Sequence, residues 1–301
     1  MHSRITPDKA SAASAQGDIE TSGRPSGTAH ARRVMLVEQA FTKLPGSAHG
    51  PSEIAAAAGL DTTVVFRILQ SGLSSSTFVK VPPGRYRLGP GAARVGIHAM
   101  AATPGPQVTQ PVLDRLSRVL DSFVILWVLS PYGGPRKAHA ASAPGRYGFD
   151  ALGLTVTQLV ELGQSLRIGA SGRVIAAHLP PAMAAAVFAE PLPAGAGPGA
   201  VRSAADFADS LQRVRESGYA VARGEILGWD SIAAPVLWGE AVYGAVTVLR
   251  PSSLMPRDLS LPLAATVAAA ERLSRLVSGT EPTASLQGRP VQRAASGRTA
   301  A

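Results

Sequence analysis

Thr62, Thr63, Phe66, Arg67 and Gln70, followed by Lys80, Arg85 and Arg87, are the residues whose types and spacing suggest a chemistry. The first five fall on one side of a helix at 3.6-residue periodicity. Two hydroxyls, an aromatic ring, a guanidinium and an amide on one face can hydrogen-bond and stack on base edges in a DNA major groove. The three basic residues that follow can neutralise phosphates, which fixes position and carries no sequence information. This chemistry is recognition; no bond is made or broken.

Such side chains need two kinds of element to hold them. Residues 52–70, SEIAAAAGLDTTVVFRILQ, read as two short helices around a corner. Ile54, Ala57 and Ala58 give the first helix an apolar side, and Gly59 permits the positive φ that stops it. Leu60 can plug the corner, and Asp61 is placed to cap the second helix through its carboxylate. Val65, Ile68 and Leu69 then face inward, leaving the five recognition residues outside. This is the helix-turn-helix plan, although an αα-corner inside a core has the same spacing. Residues 78–81 and 85–88 read as strands around Pro82-Pro83-Gly84, a turn signal. Arg85 and Arg87 share one face of that hairpin, Tyr86 and Leu88 the other. A basic hairpin after a helix pair is a wing, or else a solvated hairpin whose arginines serve solubility.

The run GLDTTVVFRIL followed by PPGRYRLGP resembles the DNA-binding domain of the IclR family of bacterial transcription regulators. The segment GRYRLGP, residues 84–90, is the specific part. The helix match rests on Gly59, Leu60, Val65, Arg67 and Leu69. Residues 70–77, QSGLSSST, depart from the family, which usually continues a helix rich in Leu and Glu. Gly in a helix interior costs about 1 kcal/mol and serines favour turns, so the departure predicts a recognition helix that ends short or frays.

The chain of 301 residues is 46% hydrophobic and 16% charged, enough for two cored domains. Its net charge is +9 and its pI about 10.6. Part of that charge is discounted because richness in Ala, Gly, Pro and Arg also marks a G+C-rich genome. Even so, residues 31–88 hold seven Lys or Arg against three Asp or Glu, which suits a polyanion. The absence of cysteine excludes disulfides, thiolate metal sites and thiol catalysis. The longest strongly apolar run, residues 123–129, is far short of the roughly 20 residues a bilayer requires, and the first residues lack a signal-peptide pattern. A cytoplasmic protein without membrane attachment is expected. The six histidines show no metal spacing, and no Walker loop, Gly-x-Ser-x-Gly or His-Glu-x-x-His occurs. No enzyme, metal or cofactor is expected.

Taken in order, residues 1–29 read as a disordered tail, 30–90 as the winged helix-turn-helix domain, and 91–105 as a linker helix. Residues 106–278 form a second domain and 279–301 another tail. Within them, residues 32–44 form an amphipathic helix with Val34, Val37, Phe41 and Leu44 inward, and 90–102 a weakly apolar helix. Residues 107–121, 182–188, 206–216 and 261–277 are further helices. Residues 123–129, 138–142, 219–222, 232–237 and 241–249 are strands, the last two joined as a hairpin. The GAGPG run at 195–199 has no strand before it and reads as a flexible loop, not a nucleotide loop. The fold class is α+β.

The resemblance continues through RIGASGRVIAAHLP (167–180), ESGYAVARGE, SIAAPV (231–236) and AVTVLRP (245–251). It implies a GAF-like domain binding a small effector at Ala170, Ser171, Ser231 and Thr247. Ala222 and Leu249 stand where family members often carry polar residues, and Trp127, Trp229 and Trp238 suggest aromatic surroundings. The ligand implied is larger or more apolar than a small organic acid, unless the pocket is vestigial. The function implied is a sequence-specific regulator, repressor more often than activator. It would bind double-stranded operator DNA and a small-molecule effector, and self-associate as a dimer or tetramer. The alternative is an oligomerising scaffold of the same fold without sequence readout or without effector.

Overall fold

The computed structural model describes residues 27–280; readings of residues 1–26 and 281–301 lie outside the described residues. Helix α1 (Gly27–Lys43) starts earlier than expected and takes in residues 27–29 of the stretch read as tail. Helices α2 (Pro51–Ala58) and α3 (Thr62–Ser74) follow, then strands β1 (Phe78–Val81) and β2 (Arg85–Leu88). Val37, Phe41, Ile54, Val65, Ile68, Leu69, Phe78 and Tyr86 make one core under these elements. Each large apolar side chain buried there contributes roughly 1.5–3 kcal/mol.

The corner forms as its residues dictate. Gly59 sits at φ 65° and its N–H bonds back into the last turn of α2. The Asp61 carboxylate accepts from Thr63 N at 2.8 Å and Val64 N at 3.4 Å. Helix α3 neither ends short nor frays at Gln70. It runs on to Ser74, and Gly72 is in it because Phe78 leaves no room: a Cβ there would lie 2.4 Å from the Phe78 ring. Glycine is thus a packing requirement within the helix, not a stop signal.

Helix α4 (Pro90–Ala101) leaves Val95, Ile97 and Met100 exposed, Val95 by 73%. Helix α5 (Pro106–Leu120) leads into β3 (Phe123–Ser130) and β4 (Arg136–Ala143). Helices α6 (Val156–Gln164), α7 (Gly169–Ala177), α8 (Pro181–Ala189) and α9 (Ala204–Ser217) precede β5 (Ala220–Ile226). Strands β6 (Trp229–Trp238) and β7 (Ala241–Pro251) and helix α10 (Ser260–Val277) complete the described chain. The five strands form one antiparallel sheet in the order β4-β3-β7-β6-β5.

Alternation along the strands gives that sheet two cores. Val124, Leu126, Val246 and Val248 pack against Leu113 and Leu116 of α5 and Leu273 of α10. The opposite face carries α7 and α9 over Ala222, Ala233 and Ala245, with Val174, Phe207 and Leu211 between. A smaller cluster of Phe123, Ile125, Leu152, Trp229 and Leu249 adjoins it.

The GAGPG segment is not a flexible loop. Gly197 N donates to Glu225 O at 2.8 Å and Gly199 N to Gly224 O at 3.1 Å, so it straps the free edge of β5. A Cβ at Gly199 would come within 1.8 Å of Arg223 O. The glycines permit the approach, and the strap covers part of an edge that would otherwise present unpaired backbone.

Candidate functional site

The first candidate surface is built on α3. Asp61 fixes the start of the helix, and Val65, Ile68 and Leu69 hold its inner side, so Thr62, Thr63, Phe66, Arg67 and Gln70 are turned to solvent. Phe66 is 47% exposed, which for a large ring is a contact surface left uncovered. Arg67 makes no ion pair among the described residues. Gln70 is committed differently: its Nε2 donates to the Tyr86 hydroxyl at 2.6 Å, tying α3 to the hairpin.

The hairpin register sorts its basic residues. Val79 stands opposite Arg87 and Val81 opposite Arg85, whereas Lys80 stands opposite Tyr86. Lys80 is therefore on the other face from the two arginines. Arg87 is exposed. Arg85 is half-buried, its Nε donating to Ala48 O at 2.9 Å and its Nη2 to Glu53 Oε2 at 2.9 Å. Glu53 Oε2 also accepts from Gly50 N at 2.8 Å, and its pKa is lowered by that backbone bond first and by the Arg85 and His49 charges. His49 and Tyr86 exchange backbone bonds at 2.8 Å. Arg85 and His49 thereby clasp hairpin to helix pair, a role that spacing within the hairpin does not reveal.

The second candidate site is a cavity of about 40 Å³ on the α7 side of the sheet. Ser171, Ser231 and Thr247 line it, as the resemblance implies, but Ala170 does not; it is packed in the core beneath α7. Leu249 and Trp127 line it as well. Trp229 stacks edge-on to Tyr147 at 5.8 Å, and Trp238 packs with the core on the opposite sheet face. Phe149, Leu152, Leu154, Leu162 and Gly163 close the cavity from the segment around α6. Its volume is well below the roughly 300 Å³ typical of a ligand pocket.

The polar frame around the cavity comes from residues the motifs did not single out. Gly169, at φ 79°, opens α7, and its N–H donates to Glu225 Oε2 at 2.7 Å. The helix start, whose partial positive charge attracts anions, is thus already held by the chain's own carboxylate. Glu225 Oε1 accepts from Arg173, whose Nη2 also donates to Val221 O at 2.6 Å. Lys137, buried on β4, donates to Ser165 O at 2.7 Å and Ile168 O at 3.0 Å. Burial drives its pKa down from 10.5 to about 7, against the opposing pull of Glu225 and Glu190. Sequence alone gave little signal for either, since exposed Arg136 and Arg223 stand on the same strands as buried Lys137 and Glu225. Thr247 Oγ1 is buried without a hydrogen-bond partner. No cluster of His, Cys, Asp or Glu that could hold a metal occurs among the described residues, and none of their helices is long and apolar enough to cross a membrane.

Residues 154–275 match the family described as bacterial transcriptional regulator IclR, C-terminal. No curated protein matches the sequence. The fold is similar to that of Thermotoga maritima IclR, at 15% identity and a TM-score of 0.50, over 82% of this chain and 98% of that one. A candidate transcriptional regulator from Rhodococcus sp. RHA1 is similar at 19% identity and a TM-score of 0.50, over 83% of this chain and 98% of the other. The fold of an N-terminal helix-turn-helix joined to a C-terminal domain of mixed helix and sheet is common to these chains, and the motifs at 167–180, 231–236 and 245–251 fall within the matched residues.

Proposed function

With an IclR C-terminal domain over residues 154–275 as the premise, we propose that this chain is a sequence-specific DNA-binding transcription regulator, a repressor whose C-terminal domain binds a small effector. The observation carrying the reading is the capped helix α3, with Thr62, Thr63, Phe66 and Arg67 free on its solvent side beside the Arg87-bearing hairpin. Base edges are read by the helix, and phosphates are engaged by Arg87 and Lys80. A single winged domain reads too few base pairs to be selective, so the chain acts as a dimer or tetramer. Its work is cytoplasmic, and binding, not catalysis, is what its residues support.

The test is a mobility-shift titration against the chain's own promoter fragment and a scrambled one. Wild type is expected to prefer the promoter, and Arg67→Ala to lose that preference. Equal affinity of wild type for both fragments would instead support a scaffold without sequence readout. The cavity of about 40 Å³ favours a version of that second reading, in which no effector enters. For the regulator reading, the segment around α6 must move outward when ligand binds.

A further inference from the structure

One charge in the cavity lacks a counterpart. Lys137 lines it, is 3% exposed, and among the described residues donates to the Ser165 and Ile168 carbonyls. Beyond those two acceptors the ammonium faces the Trp127 ring, 5.6 Å from its centroid, a weak partner that supplies no full negative charge. Among the described residues Lys137 makes no ion pair. The nearest buried carboxylate, Glu225, is occupied by Gly169 N and Arg173. Lys137 and Arg173 thus lie buried beside one buried anion, an imbalance relieved either by loss of the lysine proton or by an arriving negative charge. In the same cavity Thr247, 2% exposed, has a hydroxyl with no partner. The remaining wall is apolar: Ile125, Trp127, Phe149, Leu152 and Leu249.

We propose that Lys137 is the specificity-determining residue of this cavity, holding the anionic head of a ligand with an apolar body while the Thr247 hydroxyl donates beside it. The inference rests on the effector-domain reading given above. It has a consequence for protons. With burial bringing the pKa of the amine to about 7, at higher pH the protein without ligand carries Lys137 neutral. An arriving anion restores the ammonium, so neutral amine, one solvent proton and the anion give an ion pair, and binding takes up a proton. The charged groups facing Lys137 do not supply this. Glu225 on β5 is held by Arg173 on α7, Glu190 beyond α8 acts only at a distance, Arg167 stacks 4.0 Å over Phe207, and His139 on its own strand is an exposed imidazole whose pKa is lowered by partial desolvation.

The experiment is calorimetric titration of the full chain with matched pairs, benzoate against benzamide and hexanoate against hexanamide, at pH roughly 6 and 9. The acids are expected to bind and the amides not. Acid affinity should fall by tenfold or more between the two conditions, with a heat that depends on the buffer's ionisation enthalpy. Lys137→Met should abolish acid binding, and Lys137→Arg should keep it while removing the pH dependence. The proposal is overturned if amides bind as well as acids, if Lys137→Met leaves acid binding unchanged, or if neither acid binds. Should Lys137→Met fail to fold, the Lys137→Arg pH series decides. Mobility shift on the same preparations separates the two readings. Operator binding that persists while acids fail sinks this inference alone, whereas absent operator binding sinks the regulator.

Discussion

Arg85 and Arg87 lie two residues apart on one strand, yet they hold different positions. Arg87 is exposed, so Arg87→Ala is expected to weaken binding to promoter and scrambled DNA alike and to reduce the salt slope by about one. Arg85 bonds Ala48 and Glu53, so Arg85→Ala should lower the thermal midpoint as well as DNA affinity, by releasing the hairpin from the helix pair. Thermal unfolding followed by circular dichroism distinguishes the two variants. Arg67→Ala should behave differently again, costing about 1–3 kcal/mol on the promoter and little on the scrambled fragment. The solvent-facing side of α3 was legible because helix periodicity and a cap residue are local signals. The clasp was not, since its partners Glu53 and Arg85 lie 32 positions apart in the chain. The same holds for Gln70, whose amide is engaged by Tyr86.

Among elements, helix α3 carries the clearest lesson. Propensity argues that QSGLSSST should end the helix, but tertiary packing decides otherwise, because the Phe78 ring sits against Gly72. Gly72→Ala would ordinarily help a helix. Here it should destabilise by about 1–3 kcal/mol through overpacking, measured by urea denaturation. If it stabilises instead, the ring is free to move aside and the explanation fails. The strands of the hairpin and the corner at Gly59–Asp61 follow from local sequence alone and form where expected. The GAGPG strap does not, because glycine-rich composition reads the same whether the backbone is loose or pressed against a sheet edge. Its hydrogen bonds to Gly224 and Glu225 are long-range facts.

For the molecule as a whole, the buried Lys137 gives stability a pH dependence with a definite sign. Its pKa is depressed in the fold, so between about 7 and 10.5 the unfolded chain binds a proton that the folded chain has lost. Stability should therefore rise with pH through that window, by at most about 1.4 kcal/mol per unit, and be least below it, where the charge must be buried. Urea midpoints across the window should show the rise in wild type and a flatter profile in Lys137→Met. The two-domain plan was legible from the sequence, since its signals are runs of periodic apolar residues. The cavity's polar frame was not, because β4, α7 and β5 each contribute one charged residue and only the fold assembles them. The sheet beneath that cavity is one layer thick. Ile125 and Thr247 point into the cavity, while their neighbours Val124, Val246 and Val248 bear on α5 and α10. One wall thus serves both sides: a group that displaces Ile125 or Thr247 acts on strands whose adjacent residues pack against α5, and faster amide exchange in α5 on ligand addition is the expected sign.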